Sequence, residues 1–298
     1  MASPTLLVTG AAGHLGRRVL HHLLDTLDVP STRVIATTRR PADLADWTAR
    51  GVTVRAADFD APSSLPAAFA GATRLLLIST DAIGQRLAQH EAVVAAAQTA
   101  GIEHVIYTSM PDPSRSLVTF APEHAGTEKL LETSNLPGWT VLRNQWYFEN
   151  LLFSLPPILA SGQWFTAAGE GRLAHIGRDD LGRAAAVALA EPVLPKAVYE
   201  LTGAQAYSTA EMAALVSRAT GRSIDVIQVS VDALVQGMVD HGVQEPFARA
   251  LASSDRNIAA GHFAPVTDHY QRLTGVTPRS FEQWLAEPAT RTALTGRT

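Results

Sequence analysis

The chain predicts a doubly wound, parallel α/β sheet with a smaller C-terminal α/β lobe, and three observations carry that prediction. Short apolar runs alternate with helically spaced segments through the first 150 residues. The run TRLLLIS (73–79) is apolar enough to be buried on both faces, as in a parallel sheet. A glycine-rich turn, TGAAGHLG, joins the first strand to the first helix. Taken in order, TLLVTG (5–10) reads as a strand. HLGRRVLHHLLDTL (14–27) has apolar residues at 15, 19, 20, 23, 24 and 27, which is helical spacing. Strands follow at 33–38, 52–58, 73–79, 104–109 and 139–144. Helices fall at 86–101, where glycine stops an alanine-rich run, and at 123–134, with Lys129 early in the latter. Farther on, 178–192 and 208–221 read as helices and 197–203 and 225–231 as strands. Ser208 with Glu211 forms a capping box. Residues 1–150 then form one domain, and 151–298 a smaller lobe with segments returning to it.

Composition narrows the function classes. Apolar residues make up 46% and charged residues 17% of the 298, which suits a sizeable core. A net charge of −4 without dense Lys/Arg runs argues against nucleic acid as a partner. The absence of cysteine excludes disulfides, thiolate metal sites and cysteine nucleophiles. No apolar run approaches the roughly 20 residues of a membrane span, and no leader is visible, so a cytoplasmic protein is expected. The ten histidines form no metal-ligand grouping, and no G-x-S-x-G elbow is present. The pair His21–His22 reads as a solvated helix face. The helix 86–101 offers a surface either for a homodimer or for packing on the sheet.

The glycine turn carries the chemistry. Gly10, Gly13 and Gly16, with His14 and Leu15 between the last two, stand between strand and helix. That is the context of the dinucleotide-binding turn of a Rossmann fold. There a tight turn, close approach to a pyrophosphate and close helix–strand packing each require a glycine. The phosphates would meet the positive end of the helix dipole. The end of the second strand then selects the cofactor. Where an NAD site has an acid, this chain has Thr37, Thr38, Arg39 and Arg40. A guanidinium pairs with a 2′-phosphate, which favours NADP(H), with Arg39 the first cation after the strand. Asp58, beside Phe59, either accepts from the adenine amino group or holds a turn. Ser79 and Thr80 end the fourth strand at the edge where such sheets bind ligands.

The motifs TGAAGHLG, LLLIST, YTS (107–109), HAGTEKLL (124–131) and VLRNQWYFEN (141–150), in that order, resemble the NmrA-like, atypical branch of the short-chain dehydrogenase/reductases. Within it they are most similar to the type 2 NAD(P)H:quinone oxidoreductases. Typical members of the superfamily carry Tyr-x-x-x-Lys, in which tyrosine protonates the substrate oxygen and lysine holds the nicotinamide ribose. On that pattern Lys129 is kept, and Ala125 stands where the tyrosine would. Hydride delivery to a ketone makes an alkoxide whose conjugate acid has a pKa of roughly 16, so a general acid is valuable. Delivery to a quinone makes a phenolate, pKa about 10, which solvent can protonate. The resemblance therefore implies an NADPH-dependent reductase of quinones or similar conjugated acceptors. Its alternatives are a dye-cation reductase and an NADP(H)-sensing regulator without turnover. Lys129, Asn144 and Tyr147 are the residues expected at the reacting end. Thr108 and Ser109 would line the nicotinamide pocket, with Trp146, Tyr147 and Asn150 as the wall for a flat substrate. Trp146 and Phe148 also fit interdomain packing, and Tyr107 reads as core.

Overall fold

The computed structural model describes residues 3–191 and 196–295. The first half runs β1 (Leu6–Val8), α1 (His14–His21), β2 (Val34–Thr38), α2 (Ala45–Ala49), β3 (Thr53–Ala56), α3 (Leu65–Phe69), β4 (Arg74–Leu77), α4 (Arg86–Thr99), β5 (His104–Ser109), α5 (Ala121–Thr133) and β6 (Gly138–Asn144). The second half runs α6 (Leu151–Ser161), β7 (Gln163–Thr166), β8 (Arg172–Leu173), α7 (Arg178–Ala190), β9 (Ala197–Leu201), β10 (Tyr207–Ser208), α8 (Thr209–Thr220), β11 (Asp225–Gln228), α9 (Val231–Asp240), α10 (Glu245–Ala259), α11 (His269–Thr274), α12 (Phe281–Ala286) and α13 (Pro288–Thr295).

The main sheet has seven strands in the order β3-β2-β1-β4-β5-β6-β9, and every pairing in it is parallel. The order reverses beside β1, so a crevice opens between the carboxyl ends of β1 and β4, where such sheets bind ligands. Alternation along each strand feeds two apolar layers. Leu6, Val8, Val34, Leu76, Ile106 and Leu142 face one layer with α1 and α7. Leu7, Ile35, Leu75, Leu77, Val105 and Val141 face the other with α3 and α4. This two-sided burial is why these strands read as continuous apolar runs. Helix α4 spends His90, Val93, Val94 and Ala97 on the sheet, which favours the packing reading of that helix.

The second half contributes to both lobes. Strand β9 extends the sheet beside β6, and α7 packs on α1. Arg74 on β4 donates to the carbonyls of Leu189 (2.8 Å) and Ala188 (3.0 Å), placing a cation at the C-terminus of α7. A separate core joins Phe148, Leu155, Trp164, Met212, Phe281 and Trp284. The capping box forms as expected: Ser208 Oγ accepts from Glu211 N at 3.2 Å, and Glu211 Oε2 from Ser208 N at 2.9 Å. The strand expected at 225–231 stops at Gln228, because Ser230 instead caps α9 by accepting from Ala233 N at 3.1 Å. Pro192, the last residue of the helix expected at 178–192, lies outside the described residues. His22 is buried rather than solvated. Its Nδ1 meets Thr26 Oγ1 at 2.9 Å and its Nε2 meets Asp179 Oδ1 at 3.2 Å, where α1 crosses α7.

Ile106 is fully buried, whereas Phe153 is 83% exposed. Ile106→Ala is therefore expected to cost about 2–5 kcal/mol in urea-unfolding midpoints, and Phe153→Ala less than about 0.5 kcal/mol.

Candidate active site

A cleft of about 890 Å³ opens at the carboxyl edge of β1, β2, β3 and β4. Gly10, Gly13, His14, Leu15 and Gly16 form its floor, Arg39 and Arg40 one wall, Asp58 and Phe59 its far end, and Ser79 and Thr80 the opposite wall. Nine of the expected cofactor residues thus share one cavity. Gly10 has φ +58°, a left-handed conformation that suits glycine. A Cβ on Gly16 would lie 2.6 Å from Ala11 Cα and closer still to the Gly10 carbonyl oxygen, so the third glycine is sterically required. Helix α1 begins at Gly13 with no side-chain cap and no acid in its first turn. Its first amides are left to face an anion.

The two arginines differ. Arg40 Nε is committed to Asp43 Oδ2 at 2.9 Å. Arg39 makes no hydrogen bond or ion pair among the described residues and lines the same cleft. Asp58 is partly used in a turn, accepting from Asp60 N at 3.1 Å.

The residues expected farther along the edge are placed less uniformly. Thr108 is buried and accepts from Ser79 N at 2.9 Å, strapping the ends of β4 and β5. Ser109 donates to Glu128 Oε1 at 2.6 Å. Asn144 is buried with its Oδ1 lacking a partner among the described residues, while its Nδ2 stands 3.5 Å from Tyr147 Oη. Tyr147 has Arg178 over its ring at 5.5 Å, and burial raises its pKa. Trp146 stacks on Phe120 (6.4 Å) and meets Phe263 at a tilt (4.4 Å), so it joins the two halves of the chain while keeping a partly open edge. Asn150 is exposed at the end of a short turn before α6.

Lys129 requires a correction. Helix α5 starts at Ala121, which puts Lys129 in its third turn with a side chain 68% exposed, paired with Glu132 Oε2 at 2.8 Å. The face of α5 turned to β5 carries His124, Thr127, Glu128 and Leu131. The pair four residues apart that confronts Ser109 and Tyr107 is therefore His124 and Glu128, one position earlier than Ala125 and Lys129. No tyrosine stands at either pair.

Sequence reasoning missed the polar frame behind this edge. Arg86 pairs with Glu123 Oε2 at 2.9 Å and donates to Thr80 O at 2.6 Å, while Glu123 Oε1 accepts from Gly84 N at 2.6 Å. The loop carrying Ser79 and Thr80 is so tied to α5. Thr127 donates to Glu123 O, so it accepts from His90 Nδ1 at 2.9 Å, and His90 Nε2 faces Thr80 N at 3.4 Å. Tyr107 Oη meets His124 Nδ1 at 2.8 Å. Glu128 takes Arg143 at 3.0 and 2.7 Å, and Arg143 reaches Glu200 at 2.8 Å. Burial opposes the Arg143 charge, but both carboxylates more than compensate and raise its pKa. Helical spacing of 86 with 90, and of 123 with 127, is the signal that could have found this frame.

Burial pushes His90, His124 and His175 down to about 3, with the Arg86 charge adding to the first two. All three are neutral in the fold, while the unfolded chain protonates them below about 6.5. Their folded pKa is depressed, so stability holds above about 6.5 and is lost as pH falls towards 3. Each contributes up to about 1.4 kcal/mol per pH unit in that window. His175→Gln is expected to flatten the fall in urea-unfolding free energy between pH 6.5 and 4 by about one proton's slope. An unchanged slope would contradict its neutrality.

Comparisons with known proteins place the chain among reductases of the same fold. Quinone oxidoreductase 2 of Escherichia coli (strain K12) is 36% identical over 270 residues, 91% of this chain and 93% of that protein. The crystal structure of the E. coli NADPH-dependent quinone oxidoreductase complexed with NADPH superposes with a TM-score of 0.90 at 34% identity, covering 94% of this chain and 98% of that one. The Citrobacter sp. triphenylmethane reductase complexed with NADP(H) gives a TM-score of 0.87 at 33% identity, covering 97% and 99%. The NmrA-like family model matches residues 2–282, and the chain belongs to that family.

Proposed function

We propose that the chain is an NADPH-dependent reductase that delivers hydride to quinones or similarly electrophilic, conjugated acceptors. One juxtaposition carries this reading. An uncapped helix N-terminus and the uncommitted Arg39 share one cleft, and on the adjoining edge the hydroxyls of Tyr107 and Ser109 are engaged by His124 and Glu128. The proteins to which the chain is similar are named for quinone and triphenylmethane acceptors.

The residues present fit the dinucleotide. The Gly16 cradle admits a pyrophosphate beside α1, and Arg39, which lines the same cleft, suits a 2′-phosphate. NADPH, when bound, supplies the hydride from its nicotinamide ring. The chain's own contribution is orientation and exclusion of water. Thr108 and His90 fix the loop that bears Ser79 and Thr80, and Glu128 fixes Ser109. Asn144 and Tyr147 bound the reacting end, and the partly open edge of Trp146 adds an aromatic border beside them. Lys129, turned to solvent, has no part in this scheme. No residue is assigned as proton donor. Tyr107 is held by His124, and burial raises its pKa. A phenolate product draws its proton from solvent, so the chemistry is complete without one.

NADPH consumption should accelerate in the presence of a simple benzoquinone, against a protein-free control, and NADH should serve less well. Arg39→Ala should raise the KM for NADPH roughly 10–100-fold and that for NADH less than about twofold. Tight NADPH binding without turnover across quinones and cationic dyes would refute the enzyme reading. Tyr107→Phe should keep kcat within about threefold, because the phenol is not the acid; a loss of 10²-fold or more would restore it to the mechanism.

A further inference from the structure

We propose that Gln89 reads the adenine edge of the bound dinucleotide, and that Asp60 sets the orientation in which it does so. This rests on the NADPH reading of the cleft and names a residue that reading did not use.

Gln89 lies in the first turn of α4 and lines the far end of the cleft with Ala57, Asp58, Phe59 and Asp60. Its side chain is nearly all buried, at 8% exposure. Its Nε2 donates to Asp60 Oδ1 at 2.7 Å, and its Oε1 has no partner among the described residues. An ionised carboxylate accepts hydrogen bonds and cannot donate them. The NH₂ side of the amide must therefore face Asp60, and flipping the amide would set oxygen against oxygen. What remains is the acceptor oxygen, without a partner among the described residues, on a side chain that lines the cleft.

That acceptor suits adenine, whose 6-amino group donates, as it does to a glutamine that reads adenine in nucleic acids. Hypoxanthine and guanine carry an oxygen at that position and would confront Oε1 with a second acceptor. A buried acceptor left unsatisfied is costly, so its satisfaction by the amino group is a source of discrimination. Asp58, read from sequence as either an adenine contact or a turn residue, accepts from the Asp60 amide through one carboxylate oxygen and so shapes the turn that presents Asp60 to Gln89. Phe59, half-buried next to it, is left to pack on the base.

The test is equilibrium binding of NADPH and of its hypoxanthine analogue to the full-length protein, followed by nicotinamide fluorescence. The wild type should prefer NADPH by about tenfold or more. Gln89→Leu should narrow that ratio to within about twofold, and Asp60→Ala should narrow it in the same direction by releasing the amide. Thermal melting of each variant reports its folding separately. Equal binding of both dinucleotides by the wild type overturns the proposal without any variant. A Gln89→Leu protein that binds both more weakly but keeps the tenfold ratio also overturns it, since that is what a structural role predicts. A wild type that binds neither dinucleotide instead refutes the cofactor reading beneath it.

Discussion

The close approach of α1 to the β1 turn is the constraint from which the site follows. Gly16 sits against Ala11 and the Gly10 carbonyl, with no room for a Cβ. That contact pulls the helix N-terminus onto the carboxyl edge of the sheet and aims its uncapped amides into the crevice. Any side chain at 16 would push the helix away by the width of a methyl group, and the phosphate cradle would open. Strand order adds the rest. With β1 central and β2 and β4 to either side, the crevice is walled by Arg39 on one flank and Thr80 on the other.

Behind that cleft the protein spends buried charge on rigidity. Arg86 with Glu123 and Arg143 with Glu128 and Glu200 are largely dry ion pairs. Such pairs return little net stability against their desolvation. What they do supply is geometry. The first fixes the loop after β4 to α5, and the second ties α5 to β6 and β9, with Ser109 of β5 held on the same Glu128. The reacting edge is therefore held by three strands and one helix that cannot slide independently. A reductase whose catalytic contribution is orientation needs that more than it needs a titrating group.

Much of the fold was legible because each layer obeys a simple period. The strand 104–109 was read to the residue, since its apolar run is bounded by polar ends and buried on both faces. The glycine turn and the arginine-bearing strand end were legible because their chemistry is local. Helix phase was not. EHAGTEK contains two overlapping pairs four residues apart, and only the packing of α5 on β5 decides which one faces inward. A motif template chose Ala125 and Lys129; the fold chose His124 and Glu128. Gln89 escaped for a related reason. Its partner Asp60 lies 29 residues away, and its meaning depends on an orphaned oxygen that no pattern encodes.

The inward pair also makes a stable edge with no tyrosine on this face of α5. A lysine at 128 would place a second cation beside Arg143 in a nearly dry site, at a cost of several kcal/mol. Glutamate there turns the same place into an acceptor for Ser109 and Arg143 together. With Glu128 so engaged, Ser109 directs its proton to a carboxylate and is unavailable to an alkoxide. His124 and Tyr107 satisfy one another and stay neutral. Tyr107 and Ser109, the hydroxyls at the end of β5, are thus both engaged in holding the edge together. The acceptors that remain open to such a site are those whose reduced form needs no help in taking up a proton.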